Sequence, residues 1–121
     1  MKNNLDLMRA KNALAAAPSI GGGKNGGDVV KKVPAYIIND GFLAAAAFAE
    51  ATKGGFDDVF KAIAHHLKDA GHIDTKVDES AKGLIDYLTR ADSAKLRDVT
   101  AEAMLFLSYL RRFVKNDDGG R

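Results

Sequence analysis

Twenty of the 121 residues are alanine, and no stretch of useful length alternates apolar with polar side chains. That pairing narrows the fold more than any other feature. Alanine is the strongest helix former, whereas a half-buried strand needs a period of two. The sequence therefore predicts an all-α protein. At 46% hydrophobic and 28% charged residues the chain has the composition of a folded domain. Its length suits a single domain, 1–121, built as a compact bundle of about six helices.

The spacing locates the helices. Leu7, Ala10, Leu14 and Ala17 form a stripe over about Asn4 to Ala17, and Pro18 stops it. Residues 18–27, with Gly21-Gly22-Gly23 and Gly26-Gly27, read as a flexible loop. Asp28 is the expected N-cap of a second helix that kinks or restarts near Pro34 and reaches about Ile38. Phe42 to Thr52, nearly all alanine, is expected at the centre of the bundle. Phe56, Val59, Phe60, Ile63 and Leu67 mark a fourth helix, about Asp57 to Ala70, closed by Gly71. Asp78 or Ser80 caps a short fifth helix with Leu84, Ile85 and Leu88 inward. Asp92 opens the longest, to about Lys115, with Leu96, Val99, Ala103, Phe106, Leu110 and Phe113 in register. Residues 116–121 form a frayed tail.

Several chemistries are excluded. With no cysteine there is no disulfide scaffold, thiolate zinc site or cysteine nucleophile. The longest apolar run, Phe42 to Ala49, is far too short to span a bilayer, and Met1 to Asp6 is polar, so the expected location is cytoplasmic. Gly21, Gly23 and Gly26 spell G-x-G-x-x-G, but a helix and a proline precede them where a dinucleotide fold needs a strand. His65, Asp69 and His72 fall at i, i+4 and i+7, but Gly71 interrupts them and no fourth ligand is evident. They read as a solvated helix end beside the C-terminal dipole. Ser19, Ser80, Ser93 and Ser108 lack a nucleophile elbow. The expectation is no enzyme, no cofactor and no metal.

Charge is uneven although the net is only +2. Residues 1–36 carry +4, from Lys2, Arg9, Lys11, Lys24, Lys31 and Lys32 against Asp6 and Asp28. Residues 37–60 carry −3, from Asp40, Glu50, Asp57 and Asp58 against Lys53. Such asymmetry favours oriented contacts with a polyanion or with a second copy. Two clusters stand out as candidate nucleic-acid contacts: Arg9, Lys11, Lys31 and Lys32, and then Arg111, Arg112 and Lys115 at the end of the long helix.

The blocks Leu5 to Lys11, Lys31 to Gly41, Val59 to Ile63, Leu84 to Leu88 and Ala101 to Phe113 follow one another along residues 5–114. In that order the chain resembles the small subunit of the type III-B CRISPR effector, the Cmr RNA-silencing complex. The resemblance implies a non-catalytic antiviral subunit that stacks with its own copies beside the backbone subunits. It also implies other Cmr subunits, CRISPR RNA–target RNA duplex or target RNA as partners, and no membrane. RNA contact would be backbone-directed, since guide pairing supplies the sequence specificity. The competing expectation is a free-standing helical protein-interaction adaptor whose basic patches only solubilise it.

Overall fold

The computed structural model describes residues 2–20 and 26–114. Every regular element among them is helical: α1 (Lys2–Ala16) with a 3-10 turn (Ala17–Ile20), α2 (Gly26–Asp40), α3 (Phe42–Thr52), α4 (Phe56–Asp69), α5 (Ala81–Leu88) and α6 (Ser93–Phe113). This is the all-α bundle that the periodicity predicts. The centre of the expected glycine loop, 21–25, and the expected frayed tail, 116–121, lie outside the described residues. The loop's flanks are helical instead: Pro18 sits within the 3-10 turn and Gly26 already opens α2. Asp28 is thus not a cap but a first-turn carboxylate, where it complements the helix dipole and pairs with Lys32 at 3.3 Å. Pro34 neither ends nor restarts α2, which continues to Asp40.

Local chemistry sets the remaining ends. Gly41, at φ 95°, closes α2 through its N–H to the Ile37 carbonyl and starts α3. Gly71, at φ 81°, ends α4 with paired bonds from Gly71 N to Lys68 O and from His72 N to Leu67 O. Ser80 Oγ accepts from Gly83 N and caps α5; Asp92 Oδ1 accepts from Lys95 N and caps α6.

The central helix is α4, which meets all five others. Phe60, Ile63 and Leu67 on it join Phe106, Leu107 and Leu110 of α6 in a fully buried core with Val30, Val33 and Leu84. The alanine-rich α3 does not hold that position. Its Phe42, Ala45, Ala46 and Ala49 pack on α5, α2 and α4, while Ala44, Ala47, Phe48 and Ala51 face solvent. A second departure is larger. Leu7 and Leu14, the expected inward stripe of α1, are 67% and 60% exposed. The helix is turned to bury Ala13 and Ala17 together with much of Arg9 and Asn12. No helix among the described residues is long and apolar enough to cross a membrane.

Candidate nucleic-acid interface

The candidate cations divide by what holds them. Lys11 is exposed on the outward face of α1, Lys31 and Lys32 on α2, and Arg111 and Arg112 in the last turn of α6. Both α1 and α2 pack on α6, so the three cation-bearing helices adjoin. Arg9 opposes Glu102, and Tyr109 Oη donates to Asp6 Oδ1 at 2.8 Å, so α1 runs antiparallel to α6. Arg112 therefore lies towards the start of α1. It is ten residues beyond Glu102, or about 15 Å along the helix. Lys115 lies outside the described residues.

Arg9 differs from the rest. Its Nε donates to Glu102 Oε2 at 2.7 Å and its Nη2 to Oε1 at 2.9 Å, a bidentate pair that is largely buried. This geometry commits Arg9 to the interior and removes it from the cations open to a phosphate. Its hydrogen bonds to Glu102 hold the guanidinium pKa above its ordinary value, against the effect of burial.

The same carboxylate organises a polar cluster that the sequence reading missed. His66 is wholly buried, and its ring stacks on Phe106 with centroids 4.7 Å apart. Asn12 Nδ2 donates to Asp69 Oδ2 at 3.1 Å and faces His66 Nδ1 at 2.9 Å. An ionised carboxylate only accepts, so the Asn12 atom is the amide nitrogen and His66 Nδ1 must be the acceptor. The imidazole proton then sits on Nε2 and is donated to Glu102 Oε2 at 2.8 Å. Burial pushes the His66 pKa below its ordinary value, opposing the pull of Glu102. Burial alone would raise Glu102, but hydrogen bonds from Arg9 and His66 prevail and hold it below the carboxylate range.

One signal could have revealed this cluster. Glu102 lies at i+3 from Val99 and i−4 from Phe106, on the apolar stripe of α6, and a lone charge there needs a partner. The spacing does not name that partner, because Arg9 is 93 residues away. The His65–Asp69–His72 set is not gathered either. His65 faces Glu79 at 3.2 Å, Asp69 accepts from Asn12, and His72 lies 3.8 Å from Glu102. Among the described residues no three His, Asp or Glu side chains converge as metal ligands.

Neither a curated protein nor a solved structure matches the chain significantly. A family model described as CRISPR-associated protein (Cas_Cmr5) matches residues 5–116, a span that takes in nearly all of the six helices and every candidate cation. The chain belongs to the Cas_Cmr5 family of CRISPR-associated proteins.

Proposed function

We propose that this chain, a small subunit of the Cmr complex in CRISPR defence, is a non-catalytic part of a type III-B effector that stacks with its own copies and contacts target RNA. Lys31, Lys32, Arg111 and Arg112 are the contacts we assign, with Lys115 beside them in sequence and Lys11 left to the contact between copies. The observation that carries the reading is the exposure of these cations on two adjoining helices of a Cmr-family chain. Long cationic side chains without a base-reading groove suit phosphate, so the contact is sequence-tolerant. Stacking is supported by the +4 and −3 segments, which supply complementary charge.

The test is target-RNA binding by reconstituted complexes carrying Lys31→Ala/Lys32→Ala or Arg111→Ala/Arg112→Ala, at two salt concentrations. Affinity should fall about equally for unrelated target sequences, and the salt slope should become shallower by roughly 0.7 for each phosphate that is no longer neutralised. Wild-type binding by both variants, in complexes that assemble normally, would overturn the assignment. Metal-dependent RNA cleavage by the rigorously purified chain would overturn the non-catalytic reading.

A further inference from the structure

The polarity of α1 is partly inverted. It turns Arg9 and Asn12 into the bundle and leaves Leu7 and Leu14 outside, where a helix that served only the fold would do the reverse. Buried polar groups and exposed large apolar ones are the informative departures from ordinary burial. Here one helix shows both. The Glu102 cluster fixes the rotation of α1, so the leucines are presented outward by specific bonds rather than left over from poor packing.

A second unpartnered apolar face lies on another flank. The outward side of α3 consists of Ala44, Ala47, Phe48 and Ala51, with Phe48 41% exposed. Tyr36 and Phe56 brace that ring at 5.0 and 5.2 Å. Whereas α1 rests on α6 and α4, α3 rests on α5, α2 and α4, so α4 separates the two faces.

We infer that the α1 stripe Leu7–Lys11–Leu14 of one copy docks on the outward α3 face of the next. This rests on the stacking reading above and names the surfaces that meet. The two reliefs match: leucines seven residues apart project as knobs, and Ala44, Ala47 and Ala51 span the same seven residues while letting a helix approach closely. Charge matches as well. Lys11 stands between the leucines, and exposed Asp40 and half-buried Glu50 flank the α3 face. RNA is the weaker occupant, since α3 itself carries no lysine or arginine and its face is apolar with acidic residues at its border. Different faces on separate flanks make a heterologous contact. Each added copy leaves one of each face free, which extends an open stack rather than closing a dimer.

The absence of native cysteine makes the contact directly readable. Copies carrying Leu14→Cys and copies carrying Ala51→Cys are mixed and treated with a short bismaleimide, as free protein near millimolar concentration and within purified Cmr complex. The Leu14–Ala51 cross-link should exceed, by about tenfold, that of a control in which the first cysteine is moved to exposed Thr75. Adding Ala47→Glu, at an exposed position that leaves the fold intact, should lower the yield at least fivefold. A yield no better than the control, in a complex whose native mass contains several copies, overturns this interface and leaves stacking standing. A native mass with a single copy overturns the stacking reading, and this inference with it.

Discussion

Arg9 and Lys11 are two residues apart on one helix, yet their chemistry is opposite. The Arg9 side chain is 15% exposed against Glu102 at 5%, a pair whose desolvation is offset only by its two-pronged geometry and the added bond from His66. Removing one partner strands the other. Arg9→Ala should therefore cost roughly 3 kcal/mol, at the low end for a broken buried pair because Asp6 and solvent reach its edge. Lys11→Ala should stay within about 0.5 kcal/mol, as for other exposed positions. Urea denaturation of the two variants decides it, and equal midpoints would show that the Arg9–Glu102 pair holds nothing. The contrast also bears on assembly: weaker RNA binding in Arg9→Ala reports a loosened α1, whereas weaker binding in Lys11→Ala at unchanged stability reports a lost contact between copies.

Element boundaries here are set by close backbone approaches as much as by propensity. Gly83 lies in the first turn of α5, where its N–H reaches Ser80 Oγ at 2.9 Å. A Cβ at that position would run into the carbonyl of Asp78. Ala is ordinarily the better helix residue by about 1 kcal/mol, but steric displacement of backbone costs about 1–3 kcal/mol. Gly83→Ala should lower stability, with loss of the Ser80 cap visible as faster amide exchange at residue 83; a raised melting temperature would contradict the argument. Lys53 presents the converse case, at φ 59° and ψ −125°, a backbone region suited to glycine. Relief of about 2 kcal/mol of strain, less about 1 kcal/mol for glycine's added freedom, makes Lys53→Gly stabilising by about 1 kcal/mol. An unchanged or lower denaturation midpoint would contradict it. Much of this was legible in the sequence: the limits of α3, the Gly71 stop and Asp92 as a cap follow from local chemistry, and Ser80 was one of two caps left open for α5. The rotation of α1 was not. Periodicity assigns leucine to the core and has no means of weighing a bidentate pair between residues 9 and 102. The exposure of α3 escaped for a related reason, since alanine scores as apolar on either face and only its neighbours decide which face is covered.

At the scale of the whole molecule, α1 is fastened to α4 and α6 largely through groups that titrate. His66 is held neutral with its pKa below the unfolded 6.5, so between those values the unfolded chain binds a proton that the folded chain does not. Its contribution is complete above 6.5 and is lost as pH falls through that window. Glu102 is held below 4.5, and its contribution is present above 4.5 and lost as pH falls towards its folded value. The two groups share one sign and act in succession. Glu79, lowered by its bonds from His65 and Lys68 against burial, adds to the lower step. Asp58 works the other way, since burial and neighbouring Asp57 raise its pKa, but it is an exposed carboxylate and screening keeps its effect small. Arg9 stays charged throughout, so acid converts a balanced interior into one with two adjacent cations once His66 protonates and Glu102 is neutralised. The expected result is a urea midpoint that falls as pH drops below 6.5 and falls again below 4.5. In Glu102→Gln the lower step should shrink at reduced overall stability, because the group that must be protonated is gone. Amide exchange should place the first opening in α1, while α3 and α5, which lie clear of the cluster, keep their protection. A midpoint unchanged from pH 7 to 4, or a wild-type lower step retained in Glu102→Gln, would show that the docking of α1 does not depend on this carboxylate.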